Sequence, residues 1–288
     1  MPELPEVETI RRGLANNLAG KVIANFNSDW PKNINKPLTE YKRLIKGLKI
    51  LTVKRRAKML ILNLSDHWNI LIHLKMTGQL VYGSKTKCLV GGHTIEAGYD
   101  CLPNKFTHAI FTFTDNAHLF FNDIRKFGWL KLLMDLELKE ELEKMELGPE
   151  PLSKQFTFAY FQQSLARRPK NKIKQFLMDN KILVGVGNIY SDEVCFYAKV
   201  RPNRLVRSLT KVEIKMLYTG IKNILQAAIK AQGTTFSNYR TAQGETGTYA
   251  QQLKVYGRYD EQCLVCYKTI NKLKIGGRTS SFCPKCQK

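Results

Sequence analysis

Four cysteines constrain the fold of this chain more than any other feature. Cys263 and Cys266 form "CLVC", Cys283 and Cys286 form "CPKC", and sixteen residues separate the two knuckles. Two Cys-x2-Cys knuckles at this distance have the spacing of a four-thiolate zinc site. The intervening "YKTINKLKIGGRTSSF" is long enough for a hairpin but too short to bury a core of its own. One structural Zn2+ is therefore expected to act as a folding element. Four thiolates leave no open coordination position, which argues against a catalytic metal. No export signal is apparent, so disulfides are not expected among the seven cysteines.

The other end of the chain, "MPELPEVETIRRGL", carries a second strong pattern. Leu4, Val7, Ile10, Leu14 and Leu18 recur at three- and four-residue steps and paint one apolar stripe on a helix, with Gly20 as a stop. N-terminal residues are ordinarily loose. Residues joined directly to a packed helix are not, and an amine fixed there could do chemistry.

Charge narrows the partners. Forty-six Lys and Arg against 24 Asp and Glu give a formal net charge of +22. Such an excess favours a polyanion, either nucleic acid or an anionic membrane surface. The stretch 41–65 has eight cations and no carboxylate, and 164–178 has five and none, whereas 134–150 packs seven acids. The cations alternate with Leu, Ile and Val as on faces of folded elements, so nucleic acid is favoured over a membrane or a generally basic surface. No apolar run is long enough to span a bilayer.

Along the chain, 21–134 reads as short strands such as "KMLILNL", "NILIHLK", "HAIFTFTD", "HLFFND" and "WLKLLM", implying an antiparallel sandwich. The segment 83–104 lacks a clear period and reads as a loop. "LGPEPLS" marks a domain boundary, after which the period becomes helical in "FTFAYFQQSLARR", "KNKIKQFLMDN", "NIYSDEVCFYAKV" and "TKVEIKMLYTGIKNILQAAIKAQG". Thr210 and Glu213 open the last of these as a capping box. The glycine-bearing turn of "LVGVGNIYSDE" leaves backbone amides free at a helix start, where a phosphate can bind. The polar "GTTFSNYRTAQGETGTY" reads as a flexible loop.

Together, "PELPEVETIRRGL", "RRAKML", "HLKMTGQL", "NDIRKFG", "LGPEPLS", "MDNKILVGVGNIYSDE", "VYGR" and "GGRTSSFCPKCQ" resemble bacterial formamidopyrimidine-DNA glycosylase from Pro2 to the last cysteine, broken only around 83–104. The resemblance implies an α+β chain of three parts. These are a helix plus antiparallel β-sandwich (2–147), a helix-two-turn-helix domain (148–252) and a β-hairpin zinc finger (253–288). It implies a monomeric bacterial enzyme of the cytoplasm, associated with the nucleoid, that excises oxidised purines from duplex DNA and cuts the abasic strand.

The resemblance also carries roles to individual residues. Pro2, freed of Met1, would supply the nucleophilic secondary amine, and Glu3 would move protons at the sugar. Lys58 would act near the lesion during β-elimination, and Arg278 in δ-elimination and phosphate binding. Met76, Arg125 and Phe127 would fill the gap left by an extruded nucleotide; without the resemblance, Met and Phe in such runs read as core. Lys170, Asn188 and His108 would contact DNA, and the 233–249 loop would cover the extruded base.

Two departures stand out. Phe106 occupies a position where the family often has His. The long 83–104 segment holds Cys88, His93 and Cys101, three ligand types in a polar stretch that more simply read as incidental than as a second metal site. Two other readings remain in view. A non-catalytic DNA-binding protein would not need Pro2, Glu3 and Lys58. An oxidised-pyrimidine glycosylase of the endonuclease VIII branch typically begins differently.

Overall fold

The computed structural model describes all residues except 85–86, 94–101, 235–238 and 241–246; the side chains of 84, 87–93 and 239–240 are likewise outside the description. Two compact units emerge, Met1–Lys144 with Ala231–Ala250, and Met145–Lys230 with Gln251–Lys288.

The first unit begins with helix α1 (Leu4–Leu18). All five residues of the expected stripe are at most 1% exposed, and Gly20 turns the chain away at φ +87°. Next come β1 (Ile23–Ser28), α2 (Leu38–Ile45), β2 (Ile50–Arg56), β3 (Met59–Leu64), β4 (Trp68–His73), β5 (Gly78–Ser84), β6 (Lys87–His93), β7 (Thr107–Phe113), β8 (His118–Asp123), β9 (Trp129–Met134) and α3 (Asp135–Lys144). One sheet runs β2-β3-β4-β9. The other runs β1-β7-β8-β5-β6 and ends on the two-residue β10 (Tyr239–Arg240). All pairings within them are antiparallel. A single core joins Val7, Ile10 and Leu14 of α1 to Leu60 and Ile72 of one sheet and Leu80, Phe111 and Phe121 of the other. The sandwich is thus as expected, with α1 as part of its filling.

Two expectations need correction. The 83–104 segment is not simply a loop, because Lys87–His93 forms β6, paired with β5 from Gln79–Gly92 to Ser84–Lys87. Backbone pairing to an established edge supplies order that no hydrophobic alternation announced. The stretch 21–134 is not all strand either. In α2 only Tyr41 and Ile45 are buried, too few in eight residues to make a visible helical period.

The second unit holds α4 (Phe158–Ala166), α5 (Ile173–Leu177), α6 (Asn188–Tyr197) and α7 (Lys211–Lys230), followed by β11 (Asn271–Ile275) and β12 (Arg278–Phe282). Thr157 caps α4 by accepting from the Tyr160 amide at 3.1 Å. Thr210 and Glu213 form the expected reciprocal cap at α7: the Glu213 amide donates to Thr210 Oγ1, and the Thr210 amide donates to Glu213 Oε2. Buried Phe156, Phe161, Phe176, Leu217 and Ile221 supply apolar filling among the helices. The hairpin β11–β12 turns at Gly276-Gly277, both at positive φ, between the paired Ile275 and Arg278. Among the described residues no helix is long and apolar enough to cross a membrane.

Candidate active site

Pro2 is buried at the entry to α1, while Met1 is 40% exposed. The helix begins here because Pro5 suits a first turn and Glu6 reaches back to accept the Glu3 amide at 2.9 Å. Glu3 and Glu6 are 2% and 3% exposed, unusual burial for carboxylates. Glu6 also reaches a distant segment of the chain. Its second oxygen accepts from the Thr234 amide at 2.9 Å and from Thr234 Oγ1 at 3.1 Å, across 228 positions of chain. Gly233 precedes this contact at φ +84°, and a Cβ there would lie 2.9 Å from Glu6 Oε1. The Tyr249 amide donates to the Gly233 carbonyl and the Thr248 amide to Ala231, so both ends of the 233–249 segment are pinned beside Glu6. The centre of that segment, expected to cover an extruded base, lies outside the described residues.

Lys58 sits at the tight turn from β2 to β3, where Arg56 pairs with Met59 and Ala57 takes φ +55°. It is only 6% exposed. Arg55 on the same hairpin donates to Glu8 Oε2 at 3.1 Å, clamping the hairpin onto α1. Burial pushes the Glu8 carboxyl up, but hydrogen bonds from Arg11, Arg12 and Arg55 outweigh it and hold the group below its ordinary value.

His73, at the end of β4 and paired with Met59, is a neighbour the sequence did not reveal. Burial, then the positive charges of Lys75 and Lys58, lower its pKa from 6.5 to about 3. The ring is therefore neutral at physiological pH, and its Nδ1 accepts from the Lys75 amide at 2.9 Å. As pH falls from 6.5 toward 3, the unfolded chain takes up a proton that the folded ring refuses, so stability declines in that window. His73→Gln is expected to remove about 2–3 kcal/mol of the stability difference between pH 7 and pH 4.5, measured by urea unfolding. An unchanged acid slope would show that His73 is not the group responsible.

Met76, Arg125 and Phe127 come together on the surface. Arg125 Nη1 lies 3.1 Å from Met76 Sδ, and its guanidinium stands 4.7 Å from the Phe127 ring centroid. Met76 is 42% exposed and Phe127 51%, so neither is core. Asp123, buried at the end of β8, organises them. One carboxylate oxygen accepts from the Arg125 amide (3.1 Å) and the Thr77 hydroxyl, the other from the Phe127 (2.9 Å) and Gly128 (2.7 Å) amides.

His108, expected to contact DNA, lies on β7. It is 3% exposed, with Nε2 3.1 Å from the Asp123 carbonyl and Nδ1 3.0 Å from Asp29 Oδ1. The ring thus ties the Asp123 turn to Asp29. Phe106, in place of the family's frequent His, has Lys105 Nζ 5.1 Å from its ring centroid. The suggested ligands Cys88, His93 and Cys101 fall outside the described residues or side chains.

In the second unit, the four cysteine sulfurs lie within 4.8 Å of one another. Cys263 and Cys286 are 3.9 Å apart and Cys266 and Cys283 3.4 Å. A tetrahedron of Zn–S bonds of about 2.3 Å has edges of about 3.8 Å, so the thiolates fit zinc. Arg278 is exposed at the start of β12, and Lys170 is exposed ahead of α5. Asn188 opens α6, its buried Oδ1 without a hydrogen-bond partner among the described residues.

An α1-filled antiparallel sandwich, a helical unit and a four-cysteine hairpin define a zinc-finger protein with a buried acidic helix start. The comparisons name its family. Residues 1–130 match the formamidopyrimidine-DNA glycosylase N-terminal domain, 147–240 the H2TH domain of the same enzymes, and 260–288 the zinc finger found in FPG and IleRS. The formamidopyrimidine-DNA glycosylase of Bacillus subtilis (strain 168) is 41% identical over 289 residues, spanning 100% of this chain and 99% of its own. That of Pelotomaculum thermopropionicum is also 41% identical, with the same coverage. Lactococcus lactis Fpg, solved in complex with an abasic site containing DNA, superposes with a TM-score of 0.87 at 33% identity over 99% of both chains. MutM in complex with carbocyclic 8-oxo-G containing DNA gives 0.87 at 32% identity over 100% of both chains. The chain belongs to the formamidopyrimidine-DNA glycosylase family.

Proposed function

We propose that this protein is a bifunctional DNA glycosylase and abasic-site lyase of base excision repair. It excises oxidised purines such as 8-oxoguanine and formamidopyrimidines from duplex DNA and then cuts the strand by β- and δ-elimination. The observation that carries the reading is Pro2, buried at the entry to α1 next to the buried N-cap residue Glu3. In the full chain the Pro2 nitrogen is an amide; removal of Met1 converts it to a secondary amine. An α-amine titrates at about 7.7–8.0, so a useful fraction is neutral at physiological pH.

That nitrogen attacks the deoxyribose C1′: the N–C1′ bond forms as the glycosidic bond breaks with its electron pair leaving on the base, the nitrogen gives up its proton, and the C1′–O4′ bond then opens with its pair going to O4′, which takes a proton. The resulting iminium withdraws electrons and makes loss of the C2′ proton and of the 3′ phosphate accessible. Glu3 moves protons at the sugar, and Lys58 donates one during β-elimination. Arg278 holds the phosphate that leaves in δ-elimination. Lys170 and Asn188 bind the backbone, and the family's zinc is structural, supplying folding energy and no reaction step. The protein acts as a cytoplasmic monomer at the nucleoid.

The target base must leave the stack before C1′ can be reached. Met76, Arg125 and Phe127 fill the space it vacates. Phe127→Ala is expected to leave the melting temperature nearly unchanged, because a half-exposed ring forgoes the roughly 3–5 kcal/mol that truncating a buried Phe costs. Excision from paired duplex slows more than cleavage at a preformed abasic site, since extrusion costs a few kcal/mol that the wedge offsets. Equal slowing of both reactions with a large fall in melting temperature would make Phe127 a packing residue instead.

The activity itself is tested by borohydride trapping on a duplex with 8-oxoguanine opposite cytosine. A covalent protein–DNA adduct is expected. Binding to that duplex without adduct or cleavage would identify a non-catalytic relative, and capture confined to oxidised pyrimidines would reassign the substrate.

A further inference from the structure

The hairpin that carries Arg278 is fixed at three places. At the C-terminal end of β12 lies Cys283, one of the four clustered thiols. Arg278 is five residues away along a strand, about 17 Å at about 3.4 Å per residue. A two-stranded hairpin is marginally stable by itself, so a metal at one end does not hold the other in place. At the tip, Gly276 presses on Gln175 of α5, where a Cβ would lie 2.7 Å from the Gln175 Nε2.

Between tip and metal stands a buried charge pair. Asp192 of α6 is 0% exposed and Lys174 of α5 is 1%. Lys174 Nζ donates to Asp192 Oδ1 at 2.8 Å, to Ser280 Oγ at 2.9 Å and to the Thr279 carbonyl at 3.3 Å. Ser280 Oγ donates to Asp192 Oδ1 at 2.5 Å, and the Ser281 amide donates to Asp192 Oδ2 at 3.0 Å. Every bond from this pair to the hairpin falls on Thr279–Ser281, the three residues directly after Arg278. Buried ion pairs are poor net stabilisers, because desolvation offsets their attraction. What this one supplies is geometry: a carboxylate that both serines of one strand must face.

We infer that Asp192, through Ser280 and Ser281, is a positioning residue that sets Arg278 for δ-elimination independently of the metal site. The inference rests on the proposed glycosylase and lyase activity. In the δ step a base takes the C4′ proton, the freed electrons form the C4′–C5′ double bond, and the C5′–O bond breaks with its pair leaving on the phosphate. Arg278, placed correctly, stabilises that departing negative charge. Base excision and β-elimination, by contrast, are assigned to Pro2, Glu3 and Lys58 of the first unit.

The test uses Asp192→Asn and Ser280→Ala in the zinc-loaded full-length protein, on duplex DNA with a single abasic site under single-turnover conditions. Wild-type cleavage of that DNA first verifies the underlying activity; its absence overturns the proposed function, not this inference. For the variants, the ratio of δ-product to β-product is expected to fall by about tenfold, the scale on which small misplacements of a reacting group register. The rate of borohydride trapping is expected to stay within about twofold of wild type, with one zinc per chain. If Asp192→Asn fails to fold or loses zinc, Ser280→Ala, which keeps the ion pair, decides. An unchanged product ratio in the folded variants, or an equal fall in trapping and δ-elimination, overturns the inference.

Discussion

Keeping the Pro2 nitrogen in an amide, by an N-terminal extension that is not processed, is expected to abolish borohydride trapping and lower base excision by at least about 10³-fold. An amide nitrogen has no available lone pair, so no iminium can form, whatever the state of the neighbouring groups. DNA affinity should change little, because α1 is held by its apolar stripe and by the Arg55–Glu8 contact, not by the terminal amine. Pro2→Gly completes the experiment by offering a primary amine on a looser backbone, with slower trapping expected than for the secondary amine. Undiminished covalent capture by the blocked chain would mean that another amine attacks, and Lys58 would be the first to examine.

The second large effect belongs to the metal. Cys283→Ser is expected to lose zinc and, with it, most of the affinity for lesion-containing duplex. Structural zinc contributes on the order of 10 kcal/mol to small domains of this kind, far more than the apolar filling around these cysteines can replace. That filling consists of Val255, Cys263, Ile270 and Cys283, with Phe196 packed against them. Metal content by emission spectroscopy and Kd on the same samples provide the check. A metal-free variant that binds DNA as tightly as the parent would make the finger a passive appendage. Zinc loss should also precede global unfolding when a chelator is added, since the sandwich core of the first unit draws on none of these residues.

The contrast between these two sites and the rest of the molecule shows what was readable in the sequence. The helix from Leu4 to Leu18 was legible because an apolar stripe is a local, periodic signal that one buried face enforces. The four zinc ligands were legible because a metal fixes ligand type and short spacing together. The exposure of Met76 and Phe127 was not legible without the resemblance, since Met and Phe look like core in one dimension. The burial of His108 was not legible, because its partners Asp29 and the Asp123 carbonyl come from distant positions.

Sequence alone thus determined the elements whose causes are local: the terminal helix, the thiolate knuckles, the capped helix at Thr210 and the basic balance of the chain. Tertiary structure decided the contacts that join distant positions. Glu6 meets Thr234 across 228 residues, and Asp192 grips Ser280 across 88. Such pairs leave no periodic trace, because each is a single polar contact whose partner is selected by how two packed elements cross. Burial makes them specific: in a low-dielectric interior an unpartnered carboxylate or ammonium is costly, so the fold that buries it must also supply its partner.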